Sequence, residues 1–279
     1  GFLSLVGAIL TEPCSPEADY GVFYIDALTY QPMCGAGTLS VAKALVETGM
    51  VKRVEPETKI VLETPTGLVA VYVKWENHMV ASINLENVPA FLYRKDLHID
   101  LAGYGDVSVD IGYGGNFFVL ADVHSLGLTI TKDTVNLLRS LSKDILAAAN
   151  KVIKVAHPTN PAINYLDQVL FCQNVPEEDG GYLAQCIFGD AQADISPCGT
   201  GTSTRLAQRY FRGLIGLEET FVQKSVCGGA FHAKGLRETT LGGVPAIVPY
   251  VSCSDVHITG FNHLIVEEND KLKNGFVSW

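Results

Sequence analysis

No basic run occurs anywhere in these 279 residues. Twenty Lys and Arg stand against thirty Asp and Glu, a formal charge of −10. Such a chain offers no surface of the kind that neutralises a phosphate backbone, so nucleic acid is excluded as a partner. Long apolar runs are also missing, since nothing approaches the roughly 20 residues a membrane-spanning helix needs. The apolar opening Gly1–Leu10 lacks a basic n-region and runs directly into Thr11-Glu12-Pro13, so it reads as a strand rather than a signal peptide. A soluble protein with no membrane partner is expected. Neither Cys-x-x-Cys nor His-x-x-x-His occurs, and no metal is expected. Seven cysteines, an odd number in a chain large enough to fold without staples, argue against a disulfide framework and for a reducing, cytoplasmic compartment.

What is present is apolar residue, 47% of the chain, enough for two lobes or one large domain. Short runs rich in Val, Ile, Tyr and Phe and bounded by Gly, Pro, Asn or Asp predict strands over 21–25, 59–62, 68–73, 79–85, 106–111, 117–120, 168–172 and 246–251. Helical spacing occupies 37–49, 132–155 and 202–213. The class is mixed α and β, with strands dominating.

One pattern occurs twice. Asp26-Ala-Leu-Thr-Tyr-Gln-Pro-Met-Cys34-Gly-Ala-Gly-Thr38 and Asp190-Ala-Gln-Ala-Asp-Ile-Ser-Pro-Cys198-Gly-Thr-Gly-Thr202 share Asp-Ala, then Cys-Gly-x-Gly-Thr, at an offset of 164 residues. Each follows a strand-like run and precedes a helix, so the simplest account is two halves built alike. Glycines after the cysteine let backbone N–H groups approach a ligand, and the helix behind them points its unsatisfied donors the same way. The result is an anion site beside a thiol, and the helix N-terminus is expected to lower the thiol pKa. Two such thiols on opposite faces of one substrate carbon can remove a proton from one side and deliver one to the other. The duplicated N–H donors would stabilise the enediolate-like charge that develops when the carbon lies α to a carboxylate. No cofactor is required.

At this point the sequence resembles the proline racemase family, which includes 4-hydroxyproline 2-epimerases and trans-3-hydroxyproline dehydratases and has a diaminopimelate-epimerase-like fold. The resemblance spans Gly7 to Phe276. It is carried by the segments 10–19, Met33-Cys-Gly-Ala-Gly-Thr38, Val46-Glu-Thr-Gly49, Asp110-Ile-Gly-Tyr-Gly-Gly-Asn-Phe117, His157-Pro158, Asp194-Ile-Ser-Pro-Cys-Gly-Thr-Gly-Thr-Ser203 and Ile258-Thr-Gly-Phe261. It implies two pseudo-symmetric lobes, each a curved sheet around a central helix, with the last strand returning to the first lobe; Ala102-Gly103-Tyr104-Gly105 interrupts the strand pattern and sets the expected bounds at 1–103 and 104–279. It also implies a homodimer and an imino-acid substrate, proline or hydroxyproline. Cys34 and Cys198 become the acid/base pair, Gly35, Ala36, Gly199 and Thr200 lend donors to the substrate carboxylate, and Asp194 contacts the ring nitrogen.

The resemblance puts Ser at the first cysteine in the dehydratases and Thr at the second in some of them, so the presence of both Cys34 and Cys198 favours 4-hydroxyproline 2-epimerase or proline racemase. Dehydration of trans-3-hydroxyproline is the alternative, and a non-catalytic imino-acid binder a further one. The sequence departs from the family at Ala36, where His is usual and helps hold the amine. It departs again before Gly7, where members carry further residues, so the opening strands of the first lobe are expected to be incomplete. Cys14, Cys172, Cys186, Cys227 and Cys253 read as ordinary apolar residues. Asp26 and Asp190 read as turn formers, the 112–116 loop as a strand connection that also suits a pocket lining, and His157 as a helix end or a substrate contact. His124, His232, His257 and His263 carry no functional reading.

Overall fold

The computed structural model describes residues 5–26, 29–262, 265–271 and 273. The first four residues, Ala27, Leu28, His263 and Phe276 lie outside the described residues.

The chain opens with β1 (Gly7–Thr11), β2 (Tyr20–Ile25), β3 (Tyr30–Gln31) and α1 (Gly35–Glu47), then β4 (Glu57–Thr64), β5 (Gly67–Glu76) and β6 (Met79–Glu86). In β4 alternate residues Thr58, Ile60, Leu62 and Thr64 are buried, the two-residue period of a strand with one face against a core. That core is shared with Leu39, Ala42, Leu45 and Val46 of α1, which packs against β1, β5 and β6.

The second half runs β7 (Phe91–Leu101), β8 (Gly105–Tyr113), β9 (Phe117–Asp122), α2 (Val135–Val152), β10 (Gln168–Cys172), β11 (Tyr182–Phe188), β12 (Gln192–Ala193), α3 (Gly199–Phe211), β13 (Phe221–Lys224), β14 (Ala230–Leu241) and β15 (Val244–Cys253). Strand β10 is buried along its whole length because both of its faces are covered. Val169 and Phe171 join the main core with Leu138, Leu141 and Ile145 of α2. On the other face Leu170 and Cys172 cluster with Phe118, Leu120, Ala184, Cys186, Phe188 and Cys198. Helix α3 is buried from Gly199 to Ala207, including the Arg205 guanidinium. That cation donates to the carbonyls of Leu183 and Gln173 and lies 5.4 Å from the ring centres of Tyr182 and Phe221, so backbone dipoles and ring faces replace its water.

The strands form one hydrogen-bonded order, β1-β2-β4-β5-β6-β15-β14-β13-β11-β10-β9-β8-β7. Strand β15 pairs with β14 and, through Tyr250 to Cys253, with β6, and this seam joins the halves. Gly103 lies in the turn between β7 and β8, which are antiparallel neighbours from Phe91–Tyr113 to Leu101–Gly105. A lobe division at 103 cuts between hydrogen-bonded strands, so we propose that the lobes meet instead at 87–90, between β6 and β7. Among the described residues no helix is long and apolar enough to cross a membrane, and all seven cysteines are free.

Candidate active site

Both repeat cysteines sit at the same point of their elements, immediately before α1 and α3. The Cys34 sulfur accepts from the Gly37 amide at 3.4 Å, and the Cys198 sulfur from the Gly201 amide at 3.3 Å. Each thiol therefore caps its own helix as Ser or Asp would. The predicted helices began two or three residues further on, because glycines in a first turn hide a helix start from propensity. The first-turn amides at 35–36 and 199–200 have no partner within a helix.

The two helix starts meet. A Cβ built on Gly35 would lie 2.7 Å from the Gly199 Cα, and one on Gly199 would lie 2.7 Å from the Gly35 Cα. Glycine after each cysteine is thus the condition for the two anion-attracting termini to share one site. Behind them stands the 112–116 loop. Asn116 donates to the Met33 carbonyl at 2.8 Å and lies 3.4 Å from Thr200 Oγ1, while Gly114 and Gly115 leave no room for a Cβ against Met33, Thr200 and Thr204. This loop braces both helix starts from behind and does not line the cavity.

The cavity is lined by both cysteines, Gly35, Ala36, Gly199, Thr200 and Asp194, and also by Val6, Gln31, Gln168, Cys186 and Phe188. All seven residues expected at the site are brought together. Its volume is about 20 Å³, room for a single water, so admitting a substrate requires the lobes to part. A wider depression, about 510 Å³, lies along Asp110, Gln208 and Arg212. There the charges already satisfy one another, Arg212 reaching Asp110 at 2.7 Å and Asp96 at 2.6 Å, and no repeat cysteine is present.

The electrostatics of the cavity differ from the helix-terminus expectation. Burial pushes the Cys34 thiol up to about 12, outweighing the Gly37 amide that favours the thiolate. Desolvation disfavours the charged form more than one capping amide supports it, so Cys34 is held as a thiol. Burial also raises Asp194 to about 6, although the Ser196 amide donates to it at 2.8 Å. Cys186 is raised by its hydrogen bond with Cys198 and by burial. Among the described residues no Lys, Arg or His lines the cavity. It is a pocket of acids without a cation, with two helix N-termini at one end.

The repeat is not symmetric in its chemistry. At the common offset Tyr30 occupies the place of Asp194 and Ala36 that of Thr200. Tyr30 is mostly exposed, and Asp194 is the one carboxylate among the described residues that line the cavity. Cys198 has a φ of 64°, an uncommon conformation for a residue with a side chain that is often found at functional positions.

The remaining sequence candidates are structural. Asp26 accepts from the Thr29 amide and Gln31, and Asp190 pairs with Lys143 at 2.7 Å. His157 accepts the amides of Thr159 and Asn160 and packs edge-on against Tyr113, which makes it a turn anchor. Sequence reading missed Gln31, Gln168, Phe188 and Cys186. Their approach depends on strand pairing, such as the Asp194 amide donating to the Cys186 carbonyl at 3.0 Å, and no local spacing announces it.

The family described as proline racemase matches residues 1–277. A trans-3-hydroxy-L-proline dehydratase of Burkholderia cenocepacia is 38% identical over 278 residues, covering 99% of this chain and 82% of that protein. A proline racemase of Clostridioides difficile is 37% identical with the same coverage. Among solved structures, a hydroxyproline epimerase from Agrobacterium vitis with bound trans-4-hydroxy-L-proline superposes with a TM-score of 0.88 at 30% identity, covering 97% of this chain and 77% of that one.

Proposed function

This chain belongs to the proline racemase family, and on that premise we propose that it is a cofactor-independent isomerase inverting Cα of a cyclic imino acid, 4-hydroxyproline or proline, with Cys34 and Cys198 as the acid/base pair. The observation that supports this most directly is the meeting of two thiol-capped helix N-termini at Gly35 and Gly199 in one cavity. The substrate carboxylate lies against the amides at 35–36 and 199–200, where two helix dipoles favour an anion and the enediolate-like charge that grows from it. The ring ammonium pairs with Asp194, the cavity's carboxylate. Cα then stands between the sulfurs. One thiolate takes the α-proton as the C–H pair moves into the carboxylate, and the opposite thiol donates its proton to the other face. The proton count is unchanged, and the two cysteines exchange protonation states. Burial holds Cys34 in the donating form. Lobe closure excludes water from the intermediate.

Cysteine at 34, where the resemblance puts Ser in dehydratases, favours inversion over elimination. Incubating L-proline, trans-4-hydroxy-L-proline and trans-3-hydroxy-L-proline in D₂O and following each by proton NMR separates the outcomes. Inversion with deuterium incorporated at Cα is expected for one of the first two. A ketimine-type product from the third, without inversion of the others, would assign the chain as a dehydratase, and tight binding without exchange would make it a binding protein.

Ala36 supplies a graded test. It lines the cavity where the resemblance implies a His beside the amine, so Asp194 holds the ammonium with one polar partner fewer. A hydrogen bond to a charged group contributes about 1.5–3 kcal/mol, which corresponds to roughly 10- to 150-fold in kcat/KM. Ala36→His is expected to raise kcat/KM on the best imino acid within that range. A decrease would mean that the pocket is shaped around the alanine, for a bulkier ring than proline.

A further inference from the structure

Cys186 is a third thiol in the cavity, and neither the repeat nor the two-thiol reaction uses it. It lies on β11 within the small apolar cluster that also contains Cys198. Its sulfur, the Cys198 sulfur and an Asp194 carboxylate oxygen all lie within 4.8 Å of one another. Two sulfurs and one carboxylate oxygen are a donor set that suits zinc and other borderline-soft cations and disfavours calcium and magnesium, which take oxygen alone. Tetrahedral zinc with Zn–S bonds of 2.3 Å needs sulfurs about 3.8 Å apart, so a shift of about an ångström brings the two sulfurs to bonding distance. The surroundings favour a cation as well. Among the described residues no basic side chain lines the cavity, so a divalent ion there meets no competing positive charge.

We propose that Cys186, Asp194 and Cys198 form an inhibitory site for a zinc-like divalent cation, competitive with the imino acid. Binding makes bonds from the metal to both sulfurs and to the carboxylate, and the thiol protons pass to solvent. One coordination position stays open to water. The ion occupies the group assigned to the substrate ammonium and one of the two proton carriers, so ion and substrate exclude each other. The inhibitory half of this inference rests on the catalytic reading of Cys198 and Asp194, whereas the binding half does not.

The test therefore reads binding directly. Cobalt(II) added anaerobically to the reduced full chain should produce a near-ultraviolet thiolate-to-cobalt charge-transfer band that saturates at a single ion per chain and is displaced by zinc. Cys186→Ser should weaken cobalt and zinc binding at least tenfold, because a thiolate ligand is lost, while Cys14→Ser and Cys227→Ser, which alter exposed cysteines, should not. Circular dichroism establishes that Cys186→Ser is folded. Pyrrole-2-carboxylate, a planar mimic of the deprotonated substrate, should compete with cobalt. In turnover assays zinc should raise KM for the imino acid and leave kcat unchanged. Chelator should leave the activity of metal-free enzyme intact and restore that of zinc-treated enzyme. The absence of a charge-transfer band, or equal affinity in Cys186→Ser, overturns the site. A band lost in Cys186→Ser, from a chain that turns over no imino acid, leaves the site standing and overturns the catalytic reading.

Discussion

Cys34→Ser and Cys198→Ser are each expected to abolish inversion, with kcat/KM falling by at least about 10³-fold. General acid/base groups contribute roughly 10²- to 10⁴-fold, and a hydroxyl is a far poorer proton carrier than a thiol. The fold should survive both changes. Each sulfur caps its helix by accepting an amide, Gly37 at 3.4 Å and Gly201 at 3.3 Å, and serine is itself a preferred cap. The double variant should be scarcely worse than either single one, because the two groups act as a unit. A finer signature follows from geometry. With one face disarmed, the remaining thiol can still exchange the α-proton of the enantiomer that presents it, so proton NMR in D₂O should show slow exchange with retention for one enantiomer only. The other variant should select the opposite enantiomer. Cys227→Ser, at an exposed cysteine, is the control and should turn over normally. Inversion at the parent rate in either active-site variant removes the two-base mechanism.

The site was legible because its physics is local. Cys-Gly-x-Gly-Thr encodes a capped helix start, and occurring twice it encodes two of them. That they meet at Gly35 and Gly199 was foreshadowed only by the glycines themselves. What was not legible depends on the third dimension. The helix terminus argues for an acidic thiol at Cys34, but burial decides the sign, and burial is a property of the assembled lobes. Cys186 read as an ordinary apolar residue of a strand, and it is one, yet the pairing of β11 with the segment before Cys198 aims it at the second thiol. In the fold at large, β7 escaped pattern reading because Arg94-Lys95-Asp96 interrupts its alternation. The pairing with β8 shifts register twice there, and Asp96 has a φ of 50°. Strand β14 carries His232, Lys234, Arg237 and Glu238 among its apolar residues and one register shift, so its inward face is too sparse to announce a strand. By contrast β10, apolar from Val169 onward, occupies the residues expected from sequence, Gln168–Cys172.

Asp194→Asn should separate function from stability in opposite directions. On the proposed reading this carboxylate pairs with the ring ammonium, and breaking a buried charge pair by removing one member costs about 3–5 kcal/mol. The variant is therefore expected to lose roughly 150- to 5,000-fold in kcat/KM. The same carboxylate is a burden to the empty fold. Burial raises it to about 6, against 3.8 in the open chain, so the native state binds its proton more tightly than the unfolded state does. Its contribution to stability is complete below pH 4 and is lost as the pH rises through 6, reaching a deficit of about 3 kcal/mol at pH 7. Asparagine has the same shape without the charge, and it should raise the urea midpoint at pH 7 while changing it little at pH 4. Asp167, held at about 6 by burial, belongs to a different depression from the thiol cavity. Asp167→Asn should repeat the stability gain with a far smaller loss of activity. In the parent enzyme kcat/KM should fall below about pH 6, where protonation of Asp194 removes the ammonium's partner from the free protein. If the kcat/KM of Asp194→Asn on the best imino acid is unchanged, Asp194 is not the ionised partner of the substrate nitrogen. The polar lining would then have to hold the amine from Gln31 or Gln168, the other side chains of the cavity with a hydrogen-bond acceptor and no thiol neighbour in sequence.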